Sequence, residues 1–282
     1  MLDIRNKIGI IGMGNIGSVI ARKLADETGE YSIFVFDKDK DKTKNVKLFT
    51  VAKDLISLVA GADTVILAVK PQDIDHLLKE IKNYIGEKLA ISIAAGISTG
   101  YIQRLLGSIR VIRAMPNIAA KIAESVTCLC KGDFATESDI DFAKELFYYL
   151  GTVRSIDESL MNAATAISGS GPAYIFYFIE NNAIDPKNIP EHARHDMMRR
   201  LEKAAQSLGF ESEDASFLAA NTVNASISLL KLTGLKPEEL RVQVTSKGGT
   251  TEAGLEVLRK GGSWEDAALS AVKRAEELSK RG

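Results

Sequence analysis

The chain of 282 residues is poor in cysteine, with only two, and it has no surplus of charge: 36 Lys and Arg stand against 37 Asp and Glu, a formal net of -1. Such a balance offers no general attraction for nucleic acid or an anionic membrane, so neither is expected as a partner. No apolar run reaches the ~18 to 20 residues that span a bilayer, and Met1 to Lys7 lead into a strand pattern, not a signal h-region. A cytoplasmic location is the expectation. Cys128 and Cys130 flank Leu129 in the apolar run Val126 to Cys130, which puts both thiols on one face of a strand. Buried, reduced thiols are expected there in preference to metal ligands or a redox pair. Repeats, low-complexity tracts and a Pro- or Gly-rich linker are also missing. The length suits two domains that pack directly on one another.

What is present begins with Lys7-Ile8-Gly9-Ile10-Ile11, an apolar run that ends in Gly12-Met13-Gly14-Asn15-Ile16-Gly17. A helical pattern with Ile20, Leu24 and Ala25 follows, so G-x-G-x-x-G lies between a strand and a helix start, as a dinucleotide site requires. The first glycine makes the turn, the second lets a pyrophosphate approach the backbone, and the third lets helix pack closely on strand. The diphosphate would sit at the positive end of that helix. A second strand, Tyr31 to Phe36, ends at Asp37, twenty residues beyond Gly17, where a carboxylate can bind the ribose hydroxyls. A 2′-phosphate there would meet like charge, at roughly 4 kcal/mol for unit charges ~4 Å apart in an effective dielectric of about 20. Asp37 thus favours NADH, yet Lys38, Lys40, Lys42 and Lys44 follow at once and can reverse the preference toward NADPH.

Apolar runs at Val46 to Val51, Asp63 to Val69, Leu89 to Ala94, Arg110 to Met115 and Val126 to Cys130 alternate with helical patterns. The helix Glu137 to Leu150 and a short strand, Gly151 to Ser155, complete an α/β unit with a doubly wound parallel sheet of the Rossmann type. Ala68-Val69-Lys70-Pro71, Ala95-Gly96 and Pro116-Asn117 fall at carboxyl ends of strands, where a cofactor crevice opens. From Asp157 onward the periodicity is helical throughout. Residues 1–156 are therefore read as the dinucleotide-binding domain and 157–282 as an all-helical one. Within the latter, Ser168-Gly169-Ser170-Gly171-Pro172 is either a tight helix junction or a substrate-facing loop.

Gln243 to Thr251, QVTSKGGTT, runs into a further helical pattern. Its glycines allow close approach to a ligand, and Thr250 and Thr251 sit where a helix start presents free N–H groups, an anion site with hydroxyls attached. An ordinary loop with a threonine cap is the alternative.

Together, Gly12 to Gly17, Ala68 to Pro71, Ala95-Gly96, Met115-Pro116-Asn117, Ser168 to Tyr174 and Val244 to Thr251 resemble the pyrroline-5-carboxylate reductase family over nearly the whole chain. The last two motifs are far more specific than the first. The resemblance implies reduction of the cyclic imine 1-pyrroline-5-carboxylate to L-proline by NADPH or NADH, the last step of proline biosynthesis. It also implies a helical domain that dimerises, hence a homodimer or higher homo-oligomer. On this basis Thr251 is the catalytic candidate, an orienting donor to the ring nitrogen. Ser170, Gln243, Ser246, Gly248, Gly249 and Thr250 are substrate contacts with it, Ser246 for the carboxylate. The cofactor contacts are Gly12, Met13, Gly14, Asn15, Ile16, Gly17, Asp37, Lys38, Ala68, Val69, Lys70, Pro71, Ala95, Gly96, Pro116 and Asn117. Two departures stand out: Lys247 replaces the family's usual proline, and Asn181 to Arg200 is an insert. His192 and His195 lie in that insert with Glu191 and Asp196, but without an apolar shell or a fixed fourth ligand a solvated insert is expected and no metal site. A hydroxyacid dehydrogenase would need a lysine or histidine base that Ser168 to Tyr174 does not offer. A non-catalytic dinucleotide sensor and a reductase of a related cyclic imine are the other readings.

Overall fold

The computed structural model describes residues 7–27, 31–44 and 47–279; Val46, the first residue of an expected strand run, and the six residues that lead into the first strand lie outside them. Eight strands form one sheet in the order β3-β2-β1-β4-β5-β6-β7-β8. In chain order they are β1 (Lys7–Ile11), β2 (Ser32–Phe36), β3 (Thr50–Val51), β4 (Thr64–Leu67), β5 (Leu89–Ser92), β6 (Arg110–Met115), β7 (Ser125–Lys131) and β8 (Gly151–Ser155). Side chains alternate across the sheet because successive Cβ atoms point to opposite faces. Ile8, Ile10, Ile66, Leu89 and Ile91 enter one apolar layer with Leu24 of α1 (Gly17–Glu27) and Leu146 of α5 (Glu137–Tyr148). Ile11, Val65, Leu67 and Ala90 enter the other, beneath α2 (Leu55–Gly61), α3 (Ile74–Ile85) and α4 (Thr99–Leu106). Both faces are thus covered by helices, and the strands are apolar nearly throughout.

Two expectations need correction. The sheet is mostly but not wholly parallel: β7 runs antiparallel to β6, with Ala114 opposite Leu129. Residues 116–124, which join them, are too few for a parallel crossover of a dozen or more residues, so the chain turns back after one 3₁₀ stretch, Ile118–Ile122. The strand expected over Val46 to Val51 shrinks to the two residues of β3, which leaves Leu48 exposed.

After Ser155 the described residues contain helices and no strand: α6 (Met161–Ala164), a π-helical turn (Thr165–Gly169), α7 (Gly171–Asn181), α8 (Glu191–Ser207), α9 (Ser212–Thr233), α10 (Pro237–Val244), α11 (Thr250–Arg259) and α12 (Trp264–Ser279). Pro172 occupies the first turn of α7, where its missing N–H costs nothing. Ser263 and Asp266 cap α12 reciprocally. The helices do not form a separate body. Met115, Val126, Cys128 and Cys130 from β6 and β7 share one core with Tyr174, Met197, Leu218 and Trp264. The insert is not a solvated excursion either. Only residues 182–190 are loop; Ala193 and Met197 of α8 are buried in that core, and Asp196 pairs with Arg199 and Arg200 at 2.7 and 2.8 Å.

Candidate active site

The glycine loop follows β1. Gly12 has φ +101° and sits against the Ala68 carbonyl, so a side chain there would be strained and would collide with β4's exit. A Cβ on Gly17 would overlap the Gly12 carbonyl, whereas one on Gly14 would meet nothing within 4 Å. The loop is therefore tight at both ends and open at its middle, which fits a pyrophosphate above Gly14 at the start of α1.

Asp37 ends β2 beside this loop. Its carboxylate accepts from the Met13 N–H at 2.7 Å, the Asp39 N–H at 2.8 Å and Lys42 Nζ at 3.3 Å. Burial pushes its pKa up, but the Asp39 and Met13 N–H groups and the Lys42 ammonium outweigh this and hold it below the ordinary value. Asp37 thus shapes the glycine loop directly, a contact invisible in the spacing. Lys38 turns to solvent and pairs with Asp73 at 2.8 Å.

Ala68 and Val69 line the exit of β4, with Lys70 exposed and Pro71 opening a 3₁₀ turn. Ala95 and Gly96 follow β5; Gly96 has φ +79° and accepts from the Ser279 hydroxyl, which pins the last turn of α12 to the crevice. Pro116 and Asn117 are buried after β6. Asn117 Oδ1 accepts from the Ala119 N–H at 3.1 Å, while Asn117 Nδ2 is buried without a partner among the described residues. An orphaned amide donor at the carboxyl end of a central strand is the kind of group that a bound cofactor satisfies.

The C-terminal turn closes on this crevice. The Arg241 guanidinium meets Glu180 at 3.1 Å and fastens α10 to α7. At the end of α10 the Gln243 carbonyl accepts from Asn15 Nδ2 of the glycine loop at 3.3 Å, and Gln243 Oε1 accepts from Lys121 Nζ at 2.6 Å. Beyond it Ser246, Lys247 and Gly248 are exposed while Gly249, Thr250 and Thr251 are buried. Gly249 caps α11 with no side-chain hydrogen bond, leaving the first-turn N–H groups available; the threonines are the first residues of the helix and not its cap. A side chain at Gly249 would overlap the Ser246 hydroxyl. Two donors of the turn are already used, because the Gly248 N–H meets Glu252 Oε2 at 2.6 Å and the Gly249 N–H meets the Ser246 carbonyl at 2.9 Å, and Arg274 Nε holds the Gly248 carbonyl at 2.7 Å. Ser170, at the end of the π-helical turn, lies 3.0 Å from Thr251 Oγ1 and 3.3 Å from Thr250 Oγ1. The two motifs most specific to the resemblance therefore meet through three buried hydroxyls. Lys121 and Arg274 were missed by sequence reasoning, since neither sits in a motif and both reach the turn from distant elements.

Similarity to known proteins decides the family. A Methanosarcina acetivorans pyrroline-5-carboxylate reductase is 36% identical over 98% of both chains. The chain belongs to the pyrroline-5-carboxylate reductase family. Residues 158–184 and 195–281 match the family model for pyrroline-5-carboxylate reductase dimerisation, and residues 7–96 match that for NADP oxidoreductase, coenzyme F420-dependent. The dimerisation model passes over 185–194, a shorter stretch than the expected insert. Among solved structures, the Coxiella burnetii reductase superposes with a TM-score of 0.64 at 31% identity, over 98% of this chain and 99% of that one. The Plasmodium falciparum pyrroline carboxylate reductase, solved with NADP bound, gives 0.64 at 25% identity, over 97% of this chain and 98% of that one.

Proposed function

We propose that the chain reduces 1-pyrroline-5-carboxylate to L-proline with NADPH or NADH. The observation that carries this reading is the approach of the 243–251 turn to the glycine loop, through Asn15 and Gln243 at 3.3 Å, in one chain of this family. Gly12 to Gly17 would hold the diphosphate, with Asp37 shaping the loop and Ala68 to Pro71, Ala95-Gly96 and Pro116-Asn117 lining the crevice. When bound, the reduced dinucleotide supplies the hydride that the imine carbon needs. Ser246 and the free N–H groups at the start of α11 hold the substrate carboxylate, with Lys121 and Lys247 adding positive potential nearby. Thr251 donates to the ring nitrogen and orients the C=N bond; a threonine hydroxyl is too weak an acid to do more than relay a proton from water. Ser170 and Thr250 hold Thr251 in place. The helices after residue 156 carry this substrate half and pair with a second copy, a division supported by the dimerisation match. A cytoplasmic setting is part of the proposal, in keeping with the unpaired, buried Cys128 and Cys130. Oxidation of NADPH or NADH by the purified protein with 1-pyrroline-5-carboxylate, yielding proline, tests the reading; tight cofactor binding without turnover would refute it.

A further inference from the structure

The ten residues 185–194, over which the dimerisation match passes, fall in the loop between α7 and α8 and in the first turn of α8. Together with the end of α7 they stop a helix. The Ala183 N–H meets the Glu180 carbonyl at 3.1 Å and the Ile184 N–H meets the Ile179 carbonyl at 3.0 Å, with Ala183 left-handed at φ +50°, a conformation alanine rarely adopts. Pro186 and Pro190 follow, each disfavouring helix at the residue before it, and α8 starts only at Glu191. The chain then comes back on itself. Leu201 of α8 reaches the very start of α7, where a Cβ on Gly171 would lie 3.4 Å from it. Arg200 lies over the Phe178 ring at 5.6 Å, and Arg194 fastens α8 to α9 by donating to Asn224 Oδ1 at 2.9 Å.

Without 185–194 both prolines are gone, and Asn181-Asn182-Ala183-Ile184 runs into His195-Asp196-Met197 with no proline or glycine to halt a helix. In one continuous helix Gly171 and Leu201 would stand about 30 Å apart instead of in contact. All that follows α8, the 243–251 turn included, would be carried away from the glycine loop of its own chain.

We infer that the 182–190 loop makes each chain a complete catalytic unit. By returning α8 to α12 onto α7 and the sheet, it brings the turn to the glycine loop of the same chain, where Gln243 meets Asn15 at 3.3 Å and Ser279 meets Gly96. Removing 185–194 would send the turn to the glycine loop of a second copy, an exchange of identical segments. The inference rests on the reading of turn and glycine loop as one site. Copies that pair through the helical half do so as finished units.

The test reads which chain supplies the turn. Asn15→Cys and Gln243→Cys are introduced together into the full-length protein, whose own Cys128 and Cys130 are buried, and are bridged with a short bismaleimide before a denaturing gel. A bridged monomer is expected. A covalent dimer would overturn the inference, and the absence of both products would deny the contact it starts from. With 185–194 deleted, the same cysteine pair should yield covalent dimer in place of bridged monomer; monomer bridging that persists would overturn the role of the loop. If the shortened chain fails to fold, residues 182–190 are replaced by an equal length of alanine, glutamate and lysine, which joins the helices, and the same outcomes decide. The gel needs no turnover, so an inactive parent counts against the functional reading alone. With an active parent, mixed oligomers of Gly12→Val and Thr251→Ala chains should stay as inactive as each variant by itself, and recovered activity would place the site between chains.

Discussion

Asp37 shows how one side chain serves two demands. Its carboxylate is proposed to bind the cofactor ribose, and it also accepts the Met13 N–H and so fixes the glycine loop. Asp37→Ser should therefore raise KM for both NADH and NADPH while narrowing the gap in favour of NADPH. Steady-state constants with each cofactor check this, and an unchanged KM for both would remove Asp37 from the site. The carboxylate also makes stability depend on pH. Its folded-state pKa lies below the ordinary 3.8, so its contribution is present above that pH and is lost as pH falls through the lowered value. Asp37→Asn should melt earlier than the parent at pH 7 and with it in stronger acid; a gap that persists in acid would contradict the assignment. The glycine loop was legible in the sequence because Gly12 and Gly17 answer steric needs at a fixed spacing, while Gly14 between them leaves open space. The grip of Asp37 on Met13 was not, since it depends on which way one carboxylate turns.

At the scale of elements, α8 departs most from expectation. The segment Asn181 to Arg200 reads as hydrophilic, with Glu191, His192, Arg194, His195 and Asp196 close together. Ala193, Met197 and Leu201 nevertheless recur at helical spacing, and all three are buried against the helical core. Composition pointed to solvent; periodicity, given its due, pointed to a packed helix. Met197→Ala should cost about 2 to 5 kcal/mol, as emptying a core site does, whereas an exposed neighbour such as His195→Ala should cost almost nothing. Urea unfolding of the two variants distinguishes them, and equal midpoints would return α8 to the periphery. The reversal of β7 has a similar lesson. The strand itself was evident from its apolar run, but its direction was set by the length of the connection before it, which pattern alone does not weigh.

For the whole molecule, the two halves share a continuous core instead of meeting at a hinge, because β6 and β7 present Met115, Cys128 and Cys130 to the helices. This is how residues as distant as Asn15 and Gln243 come within 3.3 Å. The family's dimerisation match covers the helices, and Leu232, Val242 and Leu269 on α9, α10 and α12 are exposed apolar side chains. Replacing all three by aspartate should shift the mass in solution toward the monomer, as read by light scattering; an unchanged mass would place the contact elsewhere. The motifs named the residues of the proposed site, but only the packing of helices on sheet brings its halves together. The most direct measurement is single-turnover oxidation of bound NADPH by 1-pyrroline-5-carboxylate in the parent and in Thr251→Ala. The account predicts a rate lower by about 10²-fold with cofactor affinity unchanged. Equal rates would contradict it.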